Sequence, residues 1–186
     1  MNRHHLEMCA SDEWRQALRE WILPYALAEA RLGDDVLEVG AGPGLTTDLL
    51  REEVARLTAV ELDDDLAAAL AARLAGTNVD VVHADATAMP FPDGRFTGAA
   101  SFTMLHHVPT PELQDRLFAE VARVLRPGGL FVASDSVASD DLAALHDDDV
   151  YNPVDPALVA DRLAAAGFAD VDVRANEIGW AAHARR

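Results

Sequence analysis

A glycine-rich turn near the start of the chain is the strongest candidate ligand site. An apolar strand predicted at residues 36–39 runs directly into Gly40–Gly44, which reads Gly-Ala-Gly-Pro-Gly, and a helix is predicted after it. Glycines at such a turn let a ligand approach the backbone closely. Glu61 ends the next predicted strand, where a carboxylate can accept hydrogen bonds from both hydroxyls of a ribose. The combination indicates a cofactor that contains adenosine, without deciding which one.

Two other segments with reactive side chains favour structural interpretations. The run His146-Asp147-Asp148-Asp149, followed by Tyr151 and Asn152, has the composition of a metal cluster. Four consecutive side chains cannot easily converge on one ion, so we predict a solvated loop here and no metal site. Cys9 is the single cysteine, which rules out a disulfide within this chain. We expect it to be a small, partly buried apolar residue rather than a nucleophile.

Strand and helix patterns alternate along most of the chain and must position these residues. Strands are predicted at residues 36–39, 57–62, 80–84, 96–102, 130–133, 171–174 and 180–183, and helices at 46–56, 63–74, 111–125 and 156–166. Continuous apolar strands that alternate with helices indicate a parallel sheet covered on both faces. The last two strands are joined by a tight turn, so they must be antiparallel. Residues 1–33 precede this pattern and are predicted to be helical, with Ser11 as an N-cap and a kink or break at Pro24.

The composition limits the classes of protein that the chain can represent. Its 186 residues fit one domain, and acidic residues outnumber basic ones by 32 to 15, which gives a formal net charge of −17. This charge repels phosphate backbones, and basic residues cluster only at the termini, so we expect no nucleic-acid partner. We find no apolar run of about 18 residues and no signal-peptide pattern. We therefore expect no membrane association and a cytoplasmic location, which also suits a single cysteine.

Four motifs in a fixed order resemble those of class I S-adenosylmethionine (SAM)-dependent methyltransferases. Residues 38–44, EVGAGPG, are similar to the first motif of that family, whose GxGxG spacing differs from the GxGxxG of nicotinamide dehydrogenases. Asp85-Ala86 resembles the family's adenine-binding position. Residues 101–108, SFTMLHHV, resemble its loop after the fourth strand, and residues 120–130, EVARVLRPGGL, its passage into the fifth strand. The resemblance covers about residues 34–186.

This resemblance implies a fold and a domain organisation. The fold is α/β, a doubly wound three-layer α/β/α domain with a seven-stranded, mostly parallel sheet of order 3-2-1-4-5-7-6, in which strand 7 is antiparallel. Residues 34–186 would form the SAM-binding methyltransferase domain. Residues 1–33 would be a helical segment of the same domain that can cover the substrate.

The resemblance also implies which residues contact SAM. Gly40–Gly42 would pack on its methionine part, with Glu38 orienting the ammonium group. Glu61 would hold the ribose, Leu62 would pack on the adenine ring, and Asp85 would accept a hydrogen bond from the adenine amino group. The full set of implied cofactor residues is Glu38, Gly40, Ala41, Gly42, Gly44, Glu61, Leu62, Asp85, Ala86, Ser101 and Phe102.

The methyl-acceptor site is much less constrained. His106 and His107 follow the fourth strand at the mouth of the expected cleft, and either can act as a general base or simply order the loop. Asp135 follows the fifth strand and is a candidate substrate contact. The remaining substrate candidates lie in the N-terminal segment and in the loop at residues 139–155: Glu13, Trp14, Tyr25 and Tyr151.

These observations predict a SAM-dependent methyltransferase that acts on an oxygen, nitrogen or carbon atom of a small-molecule acceptor. The acceptor-site motifs of DNA and protein-arginine methyltransferases are missing from the sequence, and the acidic charge agrees with a small acceptor. Two alternatives remain open. One is a SAM-binding regulatory protein without catalysis, and the other, with less support, is a nicotinamide-dependent oxidoreductase. The sequence fits a monomer and a homodimer equally well.

Overall fold

The computed structural model describes residues 2–186 and places seven strands in one sheet. The strands are β1 (Asp35–Val39), β2 (Arg56–Glu61), β3 (Val79–His83), β4 (Phe96–Phe102), β5 (Leu125–Ser136), β6 (Ala169–Ala175) and β7 (Gly179–Arg185). The α-helices are α1 (Arg3–Cys9), α2 (Asp12–Ala17), α3 (Leu23–Leu27), α4 (Leu45–Leu50), α5 (Asp64–Arg73), α6 (Pro111–Val124), α7 (Asp140–Leu145) and α8 (Pro156–Ala165). A π-helical turn, Leu18–Ile22, links α2 to α3, and a 3-10 turn, Leu105–His107, follows β4. Among residues 2–186, every helix is too short or too polar to cross a bilayer.

The sheet has the order β3-β2-β1-β4-β5-β7-β6, which confirms the predicted topology. β1 pairs in parallel with β2 and β4, and β5 pairs in parallel with β4. β7 is antiparallel to both β5 and β6, as the short connection between the last two strands requires. The strand order reverses between β1 and β4, so a crevice opens beyond the carboxyl ends of these strands.

The two faces of the sheet carry separate apolar cores, because successive residues of a strand point to opposite sides. Leu37 of β1 belongs to the larger core, which α6 and α8 cover with Leu117 and Leu163. Its neighbour Val36 belongs to a second core on the other face, where it is grouped with Leu23 of α3. Helices therefore cover both faces, which is the predicted three-layer arrangement.

The N-terminal segment packs on this second face through α3, whose Leu23 and Ala26 belong to the core there. Ser11 caps α2 as predicted, since its hydroxyl accepts the Trp14 N–H at 3.1 Å. Pro24 lies in the first turn of α3, where its missing N–H costs nothing, and the expected interruption is the π-helical turn directly before it. The Arg174 side chain from β6 donates to the carbonyls of Tyr25 and Ala26 at the end of α3.

The two largest differences from the predicted element boundaries each result from a contact with a residue distant in the sequence. The helix predicted at residues 46–56 ends at Leu50, because the Asn78 side-chain amide donates to two carbonyls of the turn that follows. β5 begins at Leu125 rather than at residue 130, since Leu125 already pairs with Phe96 before a register shift in the ladder.

Candidate functional site

A cleft of about 610 Å³ opens at the carboxyl ends of the strands, where the strand order reverses. Its lining comes from the loops after β1, β2 and β3, from the N-terminal helices, the loop after β4 and α6, and from residues 149–150. Its volume falls within the roughly 300–1,000 Å³ typical of small-molecule sites. A second cavity of about 530 Å³, between α3 and the turn after α4, contains none of the predicted site residues. The first cleft is therefore the candidate functional site.

Gly42 opens the backbone to this cleft. Its φ of +54° lies in the left-handed region that favours glycine, and a Cβ placed on it would meet no atom within 4 Å. Gly40 also lines the cleft, but a Cβ there would collide with Met104. Gly44 does not line the cleft and instead packs against Leu70 of α5. Of the three glycines, Gly42 is the one whose missing side chain leaves room for a ligand.

Glu61 joins the end of β2 to the glycine turn. Its carboxylate accepts the Gly42 N–H at 2.7 Å through Oε2 and the Asp63 N–H at 2.9 Å through Oε1. Each carboxylate oxygen can accept a further hydrogen bond, so both remain able to receive a hydroxyl group. The residue is 9% exposed and lines the cleft, which is where a ligand hydroxyl would meet it.

Leu62 and Asp85 place apolar and polar groups side by side on the same wall of the cleft. The Leu62 residue is 66% exposed, which is the surface that a flat ring system can cover. Asp85 is exposed and accepts the Thr87 N–H at 2.8 Å through one oxygen. Asp85 therefore caps the turn after β3. It also lines the cleft, as does its neighbour Ala86.

Glu38 and Ser101 lie beneath the cleft rather than in its lining, whereas Phe102 lines it. Burial raises the pKa of Glu38 to about 8, and the nearby carboxylates of Asp48 and Glu61 act in the same direction. The Glu38 carboxyl is therefore mostly protonated at neutral pH in the protein alone. Because Glu38 is buried beneath the glycine turn, it can act on a ligand only through the residues that separate it from the cleft.

The substrate candidates from the N-terminal segment occupy different places. Trp14 lines the cleft, together with Leu18 and Cys9. Glu13 is exposed to solvent outside the cleft lining. Tyr25 packs with the second core, beneath the guanidinium of Arg174, so it lies away from the cleft.

Asp135 and Tyr151 contact histidines instead of the cleft. The Asp135 carboxylate lies 2.6 Å from Nδ1 of His106 and accepts the backbone N–H of the same residue at 2.9 Å. The ring of Tyr151 stacks on that of His146 with centroids 4.7 Å apart. The sequence predicts both residues as substrate contacts, but neither lines the cleft, because each packs inward on a histidine. Of His106 and His107, only His107 lines the cleft.

A compact histidine cluster lies beside the cleft and is not predicted from the sequence. It consists of His5, His106, His107 and His146, whose ligand atoms all lie within 4.8 Å of one another. Burial lowers the pKa of His5 to about 4 and that of His107 to about 3, with the neighbouring histidines adding to the effect.

The prediction of a solvated loop at residues 146–149 is wrong for His146, which is 3% exposed, while Asp147 and Asp148 are exposed as expected. Local spacing carries no signal for this cluster, since its members are brought together from distant parts of the chain.

The sequence matches the family described as "Methyltransferase domain" over residues 37–133, more than half of the chain. The chain belongs to this methyltransferase family.

A probable S-adenosylmethionine-dependent methyltransferase of Mycolicibacterium smegmatis is 32% identical over 116 residues, which are 62% of this chain and 43% of that protein. A demethylmenaquinone methyltransferase of Clavibacter sepedonicus is 32% identical over 120 residues, 64% of this chain and 45% of that protein. The methyltransferase domain thus spans under half of the length of these two relatives. In fold it is similar to a SAM-dependent methyltransferase of Aquifex aeolicus, with a TM-score of 0.76 at 18% identity over 99% of this chain and 98% of that one.

SAM is the cofactor of this methyltransferase family, and the cleft fits it. The open backbone at Gly42, the carboxylate of Glu61 in the cleft lining and the exposed face of Leu62 offer surfaces for an amino acid chain, a ribose and an adenine ring. The family assignment also removes the nicotinamide-dependent alternative.

Proposed function

We propose that this methyltransferase domain transfers the methyl group of SAM to a small, largely apolar acceptor. The observation that carries the proposal is one cleft whose lining combines residues suited to a nucleoside with a set of apolar side chains. When bound, SAM supplies an electrophilic methyl group on a sulfonium. Transfer is a displacement at that carbon, so the main task of the protein is to hold donor and acceptor in line.

The nucleoside-binding wall is assigned to the loops after the first three strands. Gly40–Gly42 would contact the methionine part, and Glu61 would accept the ribose hydroxyls. Leu62 would cover the adenine ring, with Asp85 and Ala86 at its polar edge. All of these residues line the cleft. We assign Glu38 and Ser101 a supporting role beneath the turn, because both are buried below it.

The other residues of the cleft lining argue for an apolar acceptor. They are mainly hydrophobic side chains of the N-terminal helices, the loop after β4 and α6: Trp14, Leu18, Met104, Val108, Leu113 and Leu117. Burying such surface contributes about 25 cal/mol per Å² to binding. A strongly acidic protein of net charge −17 also disfavours a polyanionic acceptor. One relative is named for demethylmenaquinone, and we take from it only the class of a small acceptor.

His107 is the acceptor-side histidine that can contact a bound substrate, because it lines the cleft. His106 lies behind it and is held by the buried Asp135. We assign both histidines to positioning of the loop, which is one of the two roles that their sequence position allows.

The test is transfer of a labelled methyl group from SAM to a panel of hydroxylated aromatics, amines and thiols, with transfer RNA and a peptide mixture as polymer controls. We expect S-adenosylhomocysteine (SAH) to bind and label to appear in a small acceptor. Tight binding of SAH without turnover on any acceptor would contradict methyl transfer and favour a regulatory SAM-binding protein. Label found only in the polymers would contradict the assignment of a small acceptor.

A further inference from the structure

Four histidine rings from three separate parts of the chain meet beside the cleft. His5 comes from α1, His106 and His107 from the turn after β4, and His146 from the residue that ends α7. Each offers one ring nitrogen, and these four atoms all lie within 4.8 Å of one another. Three of the residues are almost fully buried, with exposures of 4% for His5, 6% for His106 and 3% for His146. Water therefore has little access to most of the cluster.

Hydrogen bonds fix the tautomers of two of these rings. Nδ1 of His106 lies 2.6 Å from the carboxylate of Asp135, an acceptor when ionised, so this nitrogen carries the proton. Nδ1 of His146 lies 2.6 Å from the Leu142 carbonyl, which also can only accept. In each neutral ring, Nε2 is then left with its lone pair. A histidine whose other nitrogen donates to a carboxylate or a backbone carbonyl is typical of metal ligands.

The lone pairs in this cluster have no partner within the described chain. Nε2 of His106, Nε2 of His146 and Nδ1 of His5 are all buried and make no hydrogen bond. A buried polar atom left in this state destabilises a fold, and native proteins contain few of them. Three such nitrogens within one cluster are best explained by a shared partner that accepts electron pairs, which is a cation.

We propose that His5, His106, His107 and His146 bind one divalent first-row transition metal ion, with Zn²⁺ as the best match. Neutral imidazole nitrogens are preferred ligands of Zn²⁺, whereas Ca²⁺ and Mg²⁺ prefer oxygen. Tetrahedral Zn²⁺ with Zn–N distances of about 2.0–2.1 Å requires nitrogens roughly 3.3 Å apart. The four nitrogens lie within 4.8 Å of one another, so each separation exceeds that distance by no more than about 1.5 Å.

The ion ties the N-terminal segment to the wall of the cleft. Without the ion, Asn2 at the start of α1 contacts the end of α7 and the residues that follow it. Its side-chain amide donates to the carbonyls of Leu145 and Asp147. Coordination adds His5 to this attachment and joins it to the turn after β4. The ligands of the ion are complete without SAM, although His107 also lines the cleft. Binding of the ion can therefore be measured in the protein without cofactor.

The test is metal binding to the chain after treatment with a chelator. Zn²⁺ content is measured by mass spectrometry after desalting, affinity by competition with a chromophoric chelator, and geometry by the visible absorption of Co²⁺ in the same site. We expect one equivalent of Zn²⁺ per chain, a tetrahedral Co²⁺ spectrum that Zn²⁺ abolishes, and a Zn²⁺-dependent rise in melting temperature. His5→Ala and His146→Ala should each weaken Zn²⁺ binding at least tenfold.

His4→Ala is the matched control, because His4 is exposed and lies next to His5 on the same helix. This variant should bind Zn²⁺ as the wild type does. Asp135→Asn should weaken binding by about 10–100-fold, as expected for the partner of a ligand. Less than one equivalent in the wild type, an octahedral Co²⁺ spectrum, or an equal loss in His4→Ala would overturn the proposal. The wild-type stoichiometry and spectrum decide the question even if a histidine variant fails to fold.

Discussion

At the residue scale, Glu38 shows how the glycine turn couples to proton binding. Burial raises the pKa of this carboxyl from its usual 4.5 to about 8, and its Oε2 makes no hydrogen bond within the described chain. Between pH 4.5 and about 8 the folded protein therefore binds more protons at this group than the unfolded chain does. The contribution of Glu38 to the free energy of unfolding must fall as the pH rises through this window, by about 1.4 kcal/mol for each pH unit over which the two states differ by a full proton.

Glu38→Gln should remove this pH dependence, because the amide is neutral at every pH and similar in shape. We expect the variant and the wild type to have similar stability near pH 5. The variant should then become progressively more stable than the wild type towards pH 9. Urea unfolding at a series of pH values measures the difference, and other titrating groups cancel in it. Parallel stability curves from pH 5 to pH 9 would contradict the assignment of a neutral Glu38.

Glu61 is the residue on which the placement of the cofactor depends. Glu61→Ala removes the proposed acceptor for the ribose and also the hydrogen bond to Gly42 N–H. A hydrogen bond to a charged group contributes about 1.5–3 kcal/mol, so we expect SAH affinity to fall about tenfold or more in calorimetry. Asp65→Ala, an exposed acid on the next helix, should leave the affinity unchanged.

A ligand analogue separates the two effects of the Glu61 substitution. SAH with 2′-deoxyribose should bind the wild type more weakly than SAH does, but should bind Glu61→Ala no more weakly than SAH. A deoxy penalty of the same size in both proteins would mean that Glu61 supports the glycine turn without contacting the ribose.

The sequence could predict which residues of the proposed nucleoside-binding wall line the cleft, because each lies at or directly after the end of a strand. A glycine turn after β1, an acid at the end of β2 and an Asp-Ala pair after β3 are local patterns, and the sheet order brings them to one edge. The histidine cluster could not be predicted in this way. His5 and His146 become neighbours only through the packing of two short helices, and no period along the chain relates them.

At the scale of elements, the N-terminal segment is anchored by the carbonyls at the end of α3. The Arg174 guanidinium donates to the Tyr25 and Ala26 carbonyls and lies over the Tyr25 ring. Nε2 of His183, from β7, lies 2.7 Å from the same Ala26 carbonyl. The last carbonyls of a helix have no hydrogen-bond partners within the helix. At the end of α3, side chains from β6 and β7 take the place of those partners.

Arg174→Ala should therefore loosen the segment without disturbing the sheet. We expect a loss of about 1–3 kcal/mol in the free energy of unfolding, since a charged donor to two carbonyls is removed. The melting temperature should fall by about 2–4 °C for each kcal/mol in a domain of this size. Arg19→Ala, an exposed arginine of the π-helical turn, is the control and should change stability by less than 0.5 kcal/mol, which is roughly the limit for surface substitutions. Equal losses in the two variants would contradict the anchoring role.

The type of an element could be predicted where its apolar pattern extends over many residues. Element boundaries could not be predicted where tertiary contacts determine them. The apolar face of α6 predicts its extent to within one residue. The end of α4 depends instead on Asn78, which lies far along the chain and whose amide holds the turn after Leu50. The start of β5 depends on pairing with Phe96. Neither contact can be predicted from the residues around the boundary.

At the scale of the whole molecule, the cleft is where the N-terminal segment and the sheet meet, so a ligand bound there should stabilise both. Cys9, at the end of α1, lines the same cleft as the loops after β1 and β2. Burial raises the pKa of its thiol to about 11, so little thiolate is present at pH 8 and alkylation of the folded protein should be slow. Cys9 can therefore report on closure of the cleft.

SAH at about 100 times its dissociation constant should add about 2.7 kcal/mol to the stability of the domain. With a shift of about 2–4 °C per kcal/mol, the melting temperature should rise by roughly 5–11 °C. The same concentration should slow the alkylation of Cys9, followed by mass spectrometry, because the ligand covers the wall to which Cys9 belongs. Glu61→Ala at the same SAH concentration should show smaller changes in both measurements. A rise in melting temperature without protection of Cys9 would place the ligand on the sheet alone, and would contradict a cleft that the N-terminal helices help to form.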